Sequence, residues 1–561
     1  MKKKLLAVML VVVMVLGSFS TVFAAPTTVK ISTTSETHTY EIYQIFKGDV
    51  NKDDAGKVTD LLTDLVYGQN AKAVDGNPRE EDTAVSTADM AAIDAIAKAT
   101  YPDEQAKIAA LAPYVDLNEE PVATIGKVGD EVVKSADVPS GYYLIKDKDN
   151  TVEYPETYTL YLLQVVNEDM TITPKGGDVE EEKKVDDKND SNHSEDAVTW
   201  QDTADYDIGD HVPYKLTFKL PDNYDKFIKY YVEFFDDMCA GLTLDTIDDA
   251  GNNAKIFFGT ADTTGQAIKL EAIDGSKYTT APEGPGQKYH YVINDLKTFK
   301  AGLAAGTEIR IEYTATLNNN AVIGNNGNPN EYWVKYSNNP NNSGEGTPET
   351  GETPHDKNVV FTYQTIFNKV DGKNNPITGA DFELYKFVCI DGEHEHVDAC
   401  KNDKDELICG FEKQGELWGK WTNVTELNEG TNKPSKIKSA NGAVADSVFT
   451  FKGLDDGLYK LVETVTPDGY NGIPDQIFTI TAKHAQDPAE LKLTELKGTD
   501  DASFTLTPNV DAGSLTTSII NKSGSILPET GGIGTTILYT LGGILVVGAG
   551  VLLVARRKME R

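Results

Sequence analysis

Five side chains that can bind a soft metal or join in a disulfide crowd into one stretch: Cys389, His394, His396, Cys400 and Cys409. Four thiolate or imidazole ligands suffice for a tetrahedral Zn²⁺ site, although this spacing fits no standard finger. In an oxidising exterior Cys400 and Cys409 would instead close a short hairpin, and free thiols are the third reading. No other cofactor is called for. Cys239 stands alone and reads as a small buried apolar side chain. No nucleotide loop, hydrolase elbow or catalytic triad is present, which counts against an exported enzyme. A second chemical signal lies near the C-terminus. Leu527, Pro528, Glu529, Thr530 and Gly531 precede an uncharged apolar run from Ile533 to Ala555, long enough to cross a bilayer, and Arg556-Arg557-Lys558 follow it.

The elements that must position these groups are mostly strands. The chain has 561 residues, 26 of them Tyr and 47 Gly, and its Thr and Val content also favours β structure. A net charge of −36 without a Lys/Arg stripe excludes a nucleic-acid partner. Lys2 to Lys4, an apolar run from Leu5 to Leu16 and Val22-Phe23-Ala24 read as a signal peptide over 1–24, so the chain is expected to be secreted. Composition changes at Pro174-Lys175-Gly176-Gly177 and again from Asn338 to Pro354. The expected domains are therefore 25–176, 177–355 and 356–525, ahead of a C-terminal signal over 526–561. The first opens on alternating Tyr40 to Phe46 and carries an Ala-rich helical insertion between Ser86 and Ala112, where Met90, Ile93, Ile96 and Ala97 recur at helical spacing. The other two show period-two patterns such as Val212 to Phe218 and Glu308 to Tyr313, separated by Gly/Asn/Asp turns. The predicted fold class is mainly β: tandem immunoglobulin-like sandwiches, the first with a helical insertion.

Pentapeptide, apolar span and basic tail together resemble the sortase cell-wall sorting signal of Gram-positive bacteria. That resemblance implies cleavage between Thr530 and Gly531 by a membrane-bound transpeptidase, which joins the Thr carboxyl to an amine. In the third segment, Phe367-Asn368-Lys369-Val370-Asp371, Ile377 to Leu384, Gly457 to Tyr470 and Thr517 to Lys522 resemble the Cna B-type domain of Gram-positive surface proteins. The resemblance implies an isopeptide bond between Lys369 and Asn521, with Glu463 as the catalytic carboxyl. Its chemistry follows from residue types: burial strips a lysine of its charge and makes it nucleophilic, while a buried carboxyl polarises the carboxamide and passes a proton to departing ammonia. In the middle segment, Glu182 to Val185, Tyr206 to Tyr214, Asp236 to Thr243 and Val334 to Pro340 resemble the central domain of major pilins. By position this maps the bond onto Lys183 and Asn338, assisted by Asp236. Lys184, Asn330 and Asp237 compete, because one step of strand alternation reverses which residue faces inward. At the first seam, Leu162 to Lys175 resembles the pilin motif whose lysine accepts the acyl group of the next subunit, with Ile172-Thr173-Pro174-Lys175 replacing the usual Tyr-Pro-Lys and no Trp upstream.

The resulting expectation is a non-enzymatic shaft subunit of a pilus. Its partners would be sortase, neighbouring copies of itself and peptidoglycan, with a host surface ligand left open. The competing reading is a wall-anchored adhesin that binds a host ligand and does not polymerise.

Overall fold

The run Tyr40 to Phe46 forms strand β1 (Thr39–Lys52), which pairs antiparallel with β2 (Gly141–Asp147). Both strands are buried on two faces, which is why their apolar residues run almost without a break. Tyr40, Ile42, Tyr143 and Ile145 face a core shared with the strand Thr28–Thr33, whereas Tyr43, Ile45, Tyr142 and Leu144 face one shared with Ile93, Tyr114 and Val115. Ile93 lies on α1 (Thr87–Lys98), which α2 (Glu104–Leu111) follows. The Ser86 hydroxyl caps α1, accepting from the Asp89 backbone N–H at 3.1 Å. The helical insertion thus lies where the sequence placed it.

A computed structural model describes residues 27–72, 76–102, 104–174, 176–191, 198–278, 285–342, 349–389, 412–414, 417–424, 437–438, 447–500 and 505–524. The chain divides into two units: one takes in residues up to 188, 197–362 and 484–493, the other 189–196, 363–483 and everything from 494.

Two sheets make the middle domain. In one, β3 (Glu180–Asp186), β4 (His211–Lys219) and β6 (Glu308–Leu317) run side by side; in the other, β5 (Val232–Met238), β7 (Asn328–Ser337) and β8 (Asp356–Phe361) do so in the order β8-β7-β5. Val212, Tyr214, Leu216 and Phe218 of β4 meet Phe234, Tyr332, Val334 and Tyr336 in one core. The sequence boundary at 356 needs correction. Residues 356–361 pair with β7 in register Asn328↔Val360, so they complete the middle domain, and the second unit resumes at Tyr363.

The second unit is again two-layered. β9 (Tyr363–Asp371) pairs parallel with β12 (Ser514–Asn521), while β10 (Asp381–Cys389) and β11 (Gly457–Val465) pair antiparallel in the other sheet. Phe367, Phe382, Leu384, Phe449, Tyr459 and Leu515 are buried among the described residues of this domain. Mainly-β sandwiches are therefore what the structure contains.

Candidate functional site

Alternation along β9 turns Lys369 into the sandwich, where it is wholly buried. Parallel pairing with β12 aligns Asp371 with Asn521, so the Asn521 side chain comes down beside Lys369. β11 in the facing sheet contributes Glu463, whose side chain is 1 % exposed. The Lys369 Nζ donates to Asn521 Oδ1 and lies 2.9 Å from Glu463 Oε1, and that same oxygen accepts from Asn521 Nδ2 at 2.8 Å. Glu463 is held from behind, its Oε2 accepting from the Ile473 backbone N–H at 3.0 Å and the Thr466 hydroxyl at 3.3 Å. The Phe382 ring lies 5.1 Å from the amine. Burial depresses the Lys369 pKa and outweighs the opposing attraction of Glu463. Amine, carboxyl and carboxamide are thus in mutual contact.

The middle domain assembles a comparable group. Lys183 turns inward from β3 and is fully buried, its Nζ 2.5 Å from Asp236 Oδ2 and 3.0 Å from the Tyr313 hydroxyl. That hydroxyl donates to Asp236 at 2.7 Å and accepts from Asn330 Nδ2 at 2.8 Å. Asn330 Oδ1 is buried with no hydrogen-bond partner among the described residues. Desolvation lowers the Lys183 pKa against the pull of Asp236. The doubled residues separate by strand parity. Lys184 turns away to Asp202 at 2.7 Å, and Asp237 accepts from the Ser276 hydroxyl at 2.6 Å.

Asn338 does not join this group, which corrects the sequence assignment. It lies past the end of β7, its backbone N–H donating to Glu349 O and its carbonyl accepting from the Tyr158 N–H. Eight residues at about 3.3 Å each put it roughly 25 Å from Asn330 along the strand. Asn330 stands in register with Met238, diagonal to the Asp236–Tyr332 pair, and so reaches the cluster. Tyr313 was not anticipated, although Ile309, Ile311 and Tyr313 share the inward face of β6 and signal it.

Several expected residues fall outside the described ones: Lys175, His394, His396, Cys400, Cys409 and the pentapeptide Leu527, Pro528, Glu529, Thr530 and Gly531. Cys389 ends β10 and is buried. Cys239 is buried too, its thiol pushed up to about 12 by desolvation. Among the described residues no helix is long and apolar enough to cross a membrane; the expected span over 533–555 lies outside them. Within the first unit, ligand atoms of Asp187, Asp205 and His484 lie within 4.8 Å of one another, a set that the sequence did not single out. Burial, then the neighbouring Asp205, raises Asp187 to about 7.

Residues 364–497 match the prealbumin-like fold domain SpaA, and residues 520–561 match the LPXTG cell wall anchor motif. The chain is 24 % identical over 389 residues to the trypsin-resistant surface T6 protein of Streptococcus pyogenes serotype M6, covering 63 % of this chain and 65 % of that protein. It therefore spans a little under two thirds of that relative's length. Similar solved structures include the T6 backbone pilin of the same serotype, with a TM-score of 0.47 at 17 % identity, covering 90 % of this chain and 100 % of that one. The major pilin SpaA of Corynebacterium diphtheriae gives a TM-score of 0.42 at 12 % identity, covering 89 % and 100 %. The chain is thus a cell-wall-anchored protein that carries a prealbumin-like domain over residues 364–497.

Proposed function

We propose that this protein is the shaft subunit of a covalent pilus, joined by sortase from the Thr530 carboxyl of one copy to the Lys175 amine of the next and stiffened by internal Lys–Asn isopeptide bonds. The observation that carries the reading is the buried contact of Lys369, Glu463 and Asn521, found in a chain that ends in an LPXTG anchor.

The internal step follows from that contact. Neutral Lys369 Nζ attacks the Asn521 carboxamide carbon; Glu463 takes a proton from the amine and delivers it to Nδ2, the C–N bond breaks, and ammonia leaves behind an amide. Folding holds the reactants in place, which removes most of the entropic cost of bringing them together. Lys183, Asp236 and Asn330 are the corresponding set in the middle domain, with Asp236 in the role of Glu463. Such ties survive reduction, and they would give this chain the trypsin resistance for which its T6 relative is named.

Polymerisation is tested by denaturing gels of cell-wall extracts. The native chain should give a ladder of covalent multimers, and Lys175→Arg, which keeps the charge but removes the nucleophile, should collapse it to wall-attached monomer. A native chain without a ladder would favour the non-polymerising adhesin; a ladder unchanged in Lys175→Arg would move the acceptor to another lysine.

A further inference from the structure

The third domain buries a second lysine. On β10, Lys386 has the inward parity of Phe382 and Leu384 and is wholly buried. Its Nζ lies 3.0 Å from Asp455 Oδ2 and 3.1 Å from Asp190 Oδ2. Asp455 comes from the turn that leads into β11, and its side chain is 1 % exposed. Its Oδ1 accepts from the Asp456 backbone N–H at 2.8 Å and its carbonyl from the Tyr459 hydroxyl at 2.9 Å, so this carboxyl is held in place. Asp190 arrives from far away in sequence, shortly after β3 ends at Asp186, and its side chain is 34 % exposed.

Residues 189–191 belong to the same compact unit as β10 and β11, and hydrogen bonds fasten them to both strands. The Cys389 N–H donates to the Asp190 carbonyl at 2.8 Å, the Ser191 hydroxyl donates to the Phe387 carbonyl at 2.7 Å, and the Leu458 N–H donates to Ser191 Oγ at 2.9 Å. Asn189 Nδ2 donates to Asp456 Oδ1, while Asn189 Oδ1 accepts from the Ser191 N–H at 2.8 Å. Together these bonds deliver the Asp190 carboxyl to the buried amine. The set repeats what surrounds Lys369, an amine out of water beside one fixed carboxyl and one acyl carbon, except that the acyl group here is an acid instead of a carboxamide.

We propose that Lys386 and Asp190 form a further internal isopeptide bond, with Asp455 carrying the protons. Lys386 gives a proton to Asp455 and attacks the Asp190 carboxyl carbon; Asp455 passes the amine's two surplus protons to the departing oxygen, the C–O bond breaks, the C–N bond forms, and one molecule of water leaves. An ammonium and a carboxylate thereby become one neutral amide and Asp455 ends unchanged, which removes two charges that are costly to keep out of water. Asp455 suits the carrier role because it is enclosed and fixed, and Asp190 suits the acyl role because its exposed side gives the water a way out. The bond closes residues 190–386 into a ring, so tension arriving along the backbone from β3 reaches β10 without passing through the residues between.

Tandem mass spectrometry of the full chain, denatured and digested, tests this on the native protein, so the folding of a variant does not limit it. The expected result is a branched peptide joining Lys386 to Asp190 and lighter than its two parts by one water. Separate linear peptides carrying Lys386 and Asp190, or a branch from Lys386 to Asp455, would overturn the proposal. The Lys369 bond is read in the same digest and is distinguished by loss of ammonia instead of water, so either bond can fail while the other stands. Asp455→Asn keeps the shape but cannot carry the protons, and should cut the linked fraction of freshly made chain at least about tenfold; linkage at the native level would overturn the role of Asp455. Asp190→Ala should abolish the loss of water and leave the loss of ammonia unchanged, and a retained loss of water would place the bond elsewhere.

Discussion

Lys369 and Lys183 are both taken out of water beside one carboxylate, yet the third group is reached differently. Asn521 touches Lys369 directly, whereas Asn330 stands across the Tyr313 hydroxyl from Lys183. If both sets react, the mature chain is lighter than its sequence by two molecules of ammonia. Glu463→Gln should restore one of them and Asn330→Ala the other, while Asn338→Ala should restore none; intact mass spectrometry reads all three. A native mass equal to the sequence mass would contradict both assignments. The third-domain triad was legible because its lysine, glutamate and asparagine each sit in an extended motif. The middle asparagine was not, because Asn328, Asn330 and Asn338 have the same parity and only the end of β7 separates them.

Strand alternation decides what an element shows to its core, and on β3 it has a thermodynamic consequence. Glu181 lies two residues before Lys183 on the same strand, with Oε2 buried and lacking a hydrogen-bond partner among the described residues. Burial, then the Asp356 charge, raises its pKa from 4.5 to about 8. Between those values the unfolded chain has lost a proton that the folded chain keeps. The contribution to stability is therefore full below about pH 4.5 and is lost as pH rises to about 8. Glu181→Gln cannot ionise and should be more stable than the native chain at pH 8 by about 1–3 kcal/mol after allowance for solvent screening, with no difference near pH 4. Melting curves across that range check it, and a gain independent of pH would contradict it. On β9 and β12 the relevant span is the 152 residues between Lys369 and Asn521. A cross-link closing so long a loop stabilises by about 4–5 kcal/mol through the unfolded state, so Glu463→Ala should lower Tm by roughly 10 °C or more. The same variant should be cut by trypsin faster than the native chain.

For the whole molecule, the fold class, the helical insertion and the two-layer domains could be read from period-two patterns and Gly/Asn/Asp turns, since those follow from the geometry of a half-buried strand. The domain edge at 356 could not. Residues 356–361 follow a loop-like stretch and look like the opening of the next sandwich, and only pairing with β7 assigns them backwards. The proposed shaft role requires an acyl donor, an acceptor amine and covalent ties within the domains. The most direct measurement is tandem mass spectrometry of proteolysed cell-wall material from cells that display the native chain. A branched peptide joining the Thr530 carbonyl to the Lys175 Nζ is the predicted result; Thr530 found only on peptidoglycan, or on a lysine other than Lys175, would contradict it.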